Sequence, residues 1–317
     1  MRNFLKKVVS LVMIVGILTI SAFAGFIDMP KNEVEYAALN KAVENGLIKG
    51  VSETEIAPYM TLTRAQMGTI VVRAMGATRE ASLAKFKDTP KKAWFYTDMS
   101  RAVAMGAFQG DGGVSLYPNK EITYQEAFLV LARVFDLRYE KMDALDGYVD
   151  KDSVAKWARS GVAKIVSGGY YDGSKLNPTA PITRVEFAKI MEKLVTTYID
   201  TPGTYKELPK GNTLVRCDGV VFDGVELEQT GSVYEGDIII VGDGVKEVEF
   251  KNIKGINAAV RGGSAKLSGE VGLIKTAAPG AYLVPVMNSY SLREYADGTK
   301  GQIDASLEGS YIIIENN

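Results

Sequence analysis

Apolar residues recur at helical spacing along the first two thirds of the chain, and then that period disappears. Tyr36, Leu39, Ala42 and Val43 fall on one helical face, as do Met67, Ile70, Val71 and Ala74. Met99, Ala102, Val103 and Met105 make a third stripe, and Phe128, Leu131, Ala132 and Phe135 a fourth. Trp157, Val162 and Ile165, then Phe187, Ile190, Met191 and Leu194, complete six predicted helices. Beyond Tyr198 the pattern changes: Pro202-Gly203 and Pro209-Lys210-Gly211 read as a linker over 200–212. Short β-type runs follow at 213–215, 220–222, 233–241, 248–250, 258–260, 271–274, 281–286 and 311–314, punctuated by Gly-rich turns such as Gly242-Asp243-Gly244 and Gly262-Gly263-Ser264. The expected architecture is multidomain, an all-α region followed by an all-β domain at 213–317.

The helical half repeats. Leu62-Thr63-Arg64-Ala65-Gln66, Ile122-Thr123-Tyr124-Gln125-Glu126 and Ile182-Thr183-Arg184-Val185-Glu186 stand 60 residues apart, each five residues after a Pro (Pro58, Pro118, Pro178). Each phrase predicts a helix start, with Thr as N-cap and Gln or Glu three residues on closing a capping box. Leu62, Ile122 and Ile182 precede the caps and can staple onto Met67, Ala127 and Phe187. One unit of two amphipathic helices buries little area, so three units at 25–77, 85–137 and 148–199 must share a core. Capping explains Thr and Glu/Gln fully. It does not explain Arg64 and Arg184, which sit at the positive end of the helix dipole where a cation gains nothing.

Composition narrows the chemistry. The first 24 residues read as a signal peptide: Arg2, Lys6 and Lys7, an apolar run over 8–20, then Ala22-Phe23-Ala24. No second long apolar run follows, which predicts an exported chain with no membrane span after cleavage. With 37 Lys+Arg against 38 Asp+Glu, and three of those cations in the leader, bulk charge argues against nucleic acid as a partner. The single Cys217 cannot form an internal disulfide. The chain has no His, which excludes Ser-His-Asp catalysis and His-ligated zinc. No cofactor motif and no metal site is expected; Gly242-Asp243-Gly244 lacks the spaced acids of a calcium loop.

An opening aromatic-x-Asp (Phe26-Ile27-Asp28, Phe86-Lys87-Asp88, Tyr148-Val149-Asp150), a helix bearing Trp or Tyr, a Gly turn, x-Pro and Ile-Thr-Arg-x-Glu together resemble the S-layer homology family. The resemblance covers about 175 residues and three repeats. It implies a pseudo-threefold helical domain whose grooves bind secondary cell-wall polysaccharide, often through a pyruvylated sugar, at the cell surface. Other surface-layer proteins are a further implied partner class. On that resemblance Arg64 and Arg184, beside helix-start N–H groups, become candidate anion ligands. Asp28, Asp88 and Asp150 become candidate acceptors of sugar hydroxyls, with loop or N-cap aspartates as the plain alternative. Tyr36, Trp94 and Trp157 could stack on sugar rings or belong to the core. Tyr124 stands where the family has Arg, so the second repeat is expected to bind weakly.

The β runs resemble rungs of a short right-handed β-helix, with a β-sandwich left open. The expected function is a non-catalytic, wall-anchored envelope protein displaying a β domain. The alternative is a wall-anchored carbohydrate-active enzyme with its site in the β domain. Its candidate acids Asp223, Glu226 and Glu228 read more simply as a solvated face.

Overall fold

The computed structural model describes residues 25–110, 112–137, 139–226, 236–253, 256–261 and 264–268, and the strands at 274–276, 282–285 and 312–314. The predicted signal peptide, 1–24, lies outside the described residues.

Six α-helices form the first half: α1 Glu33–Glu44, α2 Arg64–Met75, α3 Tyr96–Ala104, α4 Tyr124–Val134, α5 Arg159–Ser167 and α6 Arg184–Leu194. All three predicted capping boxes are present, at Thr63/Gln66, Thr123/Glu126 and Thr183/Glu186. The expected staple residues on both sides of each cap are fully buried. Trp157 departs from its stripe. It precedes α5 and is 56% exposed, while Val162 and Ile165 are buried. Tyr36 likewise leaves its stripe and is 48% exposed.

The packing partners cross the repeat boundaries. The first helix of each repeat lies against the second helix of the preceding one: α3 on α2, α5 on α4, and α1 on α6 to close the ring. On the axis the backbone itself is cyclic. Leu62 N–H donates to Ile182 O (3.0 Å), Ile122 N–H to Leu62 O (2.9 Å) and Ile182 N–H to Ile122 O (3.0 Å). No repeat can satisfy these groups alone, which is why three are needed.

Among the described residues eleven strands follow: β1 Thr197–Ile199, β2 Gly203–Tyr205, β3 Thr213–Val215, β4 Val220–Asp223, β5 Ile238–Val241, β6 Glu247–Lys251, β7 Ile256–Val260, β8 Ser264–Ser268, β9 Ile274–Thr276, β10 Tyr282–Pro285 and β11 Ile312–Ile314. Odd strands make one sheet and even strands the other, and every pairing among them is parallel. Each turn of chain adds one strand to each sheet, so this is a two-sheet parallel solenoid. The antiparallel sandwich is thereby excluded. The strands also begin before the expected boundary at 213, because β1 precedes the stretch read as a linker and β2 lies within it.

The solenoid interior stacks like on like, with Phe222 over Phe250 at 5.4 Å and Tyr205 beside Phe222 at 6.1 Å. The odd-strand sheet is covered on both faces. Ile199, Val215, Ile239 and Val241 point into the solenoid, while Leu214, Ile238, Ile240 and Ala259 join the helical core. The unbroken apolar run of β5 is the sequence signature of that double burial. On the even sheet β6 alternates, with Val248 and Phe250 buried and Glu247, Glu249 and Lys251 outward.

Candidate functional site

Each repeat presents the N-terminus of its second helix to a neighbouring loop, and there the local hydrogen bonding is complete. At α2 the Thr63 N–H is taken by Gln66 Oε1 (2.8 Å) and the Gln66 N–H by Thr63 Oγ1 (3.2 Å). The Arg64 and Ala65 N–H groups go to Lys120 O and Pro118 O of the next repeat, 2.9 Å each. The same pattern links Tyr124 and Gln125 to Ala180 and Pro178, and Arg184 and Val185 to Met60 and Pro58. The helix starts are therefore not open anion sites, because the adjacent repeat has used their donors.

The arginines are spent in the same way. Arg184 is 6% exposed; its Nε donates to Ile56 O (2.8 Å) and its Nη2 to Lys49 O (2.6 Å). Arg64 Nε donates to Leu116 O (2.8 Å), its Nη1 reaches Glu126 at 3.4 Å, and its guanidinium lies 4.9 Å from the centre of the Phe108 ring. Both pin one repeat to the turn of another. Tyr124 fills the matching place in the second repeat, stacked edge-on against Phe128 and Tyr171 and hydrogen-bonded to Glu186. Burial and that bond push its phenol well above the ordinary value.

The three aspartates have one shared task. Asp28 accepts from the Ile56 and Ala57 N–H groups (2.8 Å each), and Asp150 from Leu176 (3.0 Å) and Asn177 (2.8 Å). Asp88 accepts from Leu116 at 3.0 Å and Tyr117 at 2.7 Å. Ala57, Tyr117 and Asn177 have φ of 50°, 53° and 46°, so each carboxylate braces a left-handed turn that L-residues resist. In the structure all three aspartates turn their acceptor atoms onto backbone N–H groups.

The tryptophans are outside. Trp94 is 64% exposed and Trp157 lines a groove of about 530 Å³ with Arg64, Phe108, Lys120, Glu126 and Arg133. Arg133 was not singled out from sequence, yet it is the cation left over there. Its half-buried guanidinium makes no hydrogen bond or ion pair among the described residues, and burial alone lowers its pKa from the ordinary value. Lys120 pairs with Glu126 at 3.3 Å. A signal for Arg133 existed: Arg73, Arg133 and Lys193 recur at the same 60-residue spacing. A smaller groove of about 190 Å³ holds Tyr124, Tyr171, Glu186, Lys189 and Lys193.

A family profile described as the S-layer homology domain matches residues 26–67 and 85–128. The chain carries S-layer homology repeats. The third unit lies outside the matched residues; its capping box, braced turn and backbone ring bonds repeat those of the other two. The chain is 32% identical over 171 residues to the surface-layer 125 kDa protein of Lysinibacillus sphaericus, covering 52% of this chain and 14% of that protein. It is 28% identical over 192 residues to the S-layer protein sap of Bacillus anthracis, covering 56% and 22%. Exoglucanase XynX of Acetivibrio thermocellus is 27% identical over 156 residues, covering 47% and 14%. The chain thus spans less than a quarter of the length of these relatives. The S-layer homology matches and these relatives mark a secreted surface protein held at the cell wall. No helix among the described residues is long and apolar enough to cross a membrane.

Proposed function

We propose that this protein is a non-catalytic anchor whose groove at Arg64, Arg133 and Trp157 binds an anionic secondary cell-wall polysaccharide, with a pyruvylated sugar as the recognised unit. One observation carries the reading: a half-buried, unpaired guanidinium and an exposed indole face the same groove. A desolvated cation without a partner calls for an anion, and a carboxylate answers an Arg fork in bidentate fashion. The indole offers a flat apolar face beside it. Arg64 and Arg184 are then positioning residues, which hold the repeats that shape the groove.

The β-solenoid is displayed rather than catalytic in this reading. Three of its outward acids are tied into neighbouring rungs: Asp223 to Asn252 (2.8 Å), Glu247 to Lys266 (2.6 Å) and Glu249 to Ser268 (2.5 Å); Glu226 is exposed, and Glu228 lies outside the described residues. Polysaccharide release by the whole protein would sink that half of the proposal.

Binding is tested by co-sedimentation of the full mature chain with purified walls, with and without their secondary polymer. A charged hydrogen bond of about 1.5–3 kcal/mol predicts that Arg133→Ala weakens binding by roughly 10- to 150-fold. Trp157→Ala should weaken it as well, and polymer removal should abolish it. Full binding by Arg133→Ala, or binding that survives polymer removal, would overturn the assignment.

A further inference from the structure

One concavity belongs neither to the helical repeats nor to the solenoid alone. It lies between them, with a volume of about 590 Å³, in the ~300–1,000 Å³ range of ligand sites. Lys164 and Tyr139 come to it from the third repeat and its connector, Lys210 and Asp237 from the solenoid, and Lys193 and Tyr170 from the seam. Lys193 and Tyr170 also line the groove at Tyr124, so the two concavities share a wall.

The seam is built and fixed. Asn212, 3% exposed, donates to the Tyr170 hydroxyl and to Leu194 O (2.9 Å each) and accepts from Ile238 N–H (3.0 Å). The Tyr170 ring lies against Gly168, where an added Cβ would fall 2.2 Å from the ring. Three ammonium groups line the cleft against one carboxylate, Asp237, which accepts the Gly211 N–H at 2.7 Å. The cations also have neighbours of their own: Lys164 has Glu140 at 3.9 Å, Lys193 has Asp172 at 2.6 Å, and Lys210 is engaged as well. Flexible ammonium groups on such partly exposed pairs can turn toward a ligand, since each pair is worth only about 0–1 kcal/mol.

We infer that this cleft is a second subsite for an acidic saccharide, continuing the path of a polymer strand past the groove that lost its Arg at Tyr124. The inference rests on the reading of the protein as a binder of acidic wall glycan. It adds that the solenoid contributes ligands of its own, through Lys210.

The probe is a galacturonic acid hexamer, with a neutral galactose hexamer as control, applied to the full mature chain. Hydroxyl-radical footprinting reads Tyr139 in the cleft and Trp157 in the Arg133 groove separately. Expected is at least fivefold protection of Tyr139 by the acidic hexamer and none by the neutral one. Protection should vanish in the double variant Lys164→Glu, Lys210→Glu and persist in Lys164→Arg, Lys210→Arg, while both variants melt like the parent. Unprotected Tyr139 beside protected Trp157 overturns the cleft and leaves the anchor reading intact. Equal protection of Tyr139 in the charge-reversed variant also overturns it, as does failure of the acidic hexamer to protect either residue. Loss of wall binding in Arg133→Ala tests the anchor reading independently.

Discussion

Asp28, Asp88 and Asp150 show how one residue type can be required for a reason that a sequence hides. Each carboxylate reaches a turn roughly thirty positions downstream and accepts two backbone N–H groups there. At Asp150 burial would raise the carboxyl, but the Leu176 and Asn177 N–H bonds outweigh it and hold the pKa below the ordinary value. Glu126 is shifted the same way, since the Thr123 N–H, Arg64 and Lys120 together overcome its burial. Folded-state values below unfolded ones near ~4 give stability that is present above that pH and lost as pH falls through the folded values. Stability should therefore fall steeply between about pH 5 and pH 2. Asp150→Asn, which has one acceptor oxygen where the carboxylate has two, should cost about 1–3 kcal/mol at pH 7 and flatten part of that acid limb. Urea titrations of both proteins across this range check it, and an unchanged acid limb in the variant would remove Asp150 from the account.

At the scale of elements, the features written into local sequence were legible and the partners were not. Thr63, Thr123 and Thr183 with their Gln or Glu define helix starts without outside help, and the buried stripes of α2, α4 and α6 follow from spacing alone. The same stripes do not name the helix they bury against, so α3 on α2 and α1 on α6 could not be read. Arg64 and Arg184 take no part in the caps. The donors' targets, Leu116 O and Ile56 O, come from another repeat's loop and leave no mark in the phrase. β1 and β2 escaped because each is only three residues long, and β8 because Ser264–Ser268 carries few apolar residues; their pairing comes from strands two positions away in order. Close approach of elements is more demanding than their formation. Gly244 N–H donates to Met75 O (3.2 Å) at the end of α2, and a Cβ there would meet Gly76 O at 2.0 Å. Gly244→Ala should thus push the solenoid turn off α2, lowering the melting temperature by at least 5 °C. An unchanged melting temperature would show that the seam yields at no cost.

For the whole molecule, the decisive contacts run from helix C-termini to the solenoid. Arg216 donates to Asn45 O past α1 (2.8 Å), Arg261 to Met105 O past α3 (2.7 Å), and Asn212 to Leu194 O at the end of α6. With Gly244 at α2, four helices have last-turn carbonyls satisfied by residues of the β region. Carbonyls without intrahelical partners at helix ends need such donors when buried, and a cation there also favours the helix dipole. Arg79 and Asp243 add an ion pair across the same seam. Leu214, Ile238, Ile240 and Ala259 meanwhile complete the helical core from outside it. Two regions that share a core and cap each other should unfold together, in a single calorimetric transition for residues 25–317. A fragment ending at residue 199 would expose that apolar face and leave those carbonyls to water. It should melt well below the intact protein and expose more apolar surface to a hydrophobic dye. Two separate transitions in the intact chain, or a fragment as stable as its parent, would show instead that the S-layer homology repeats fold without the solenoid.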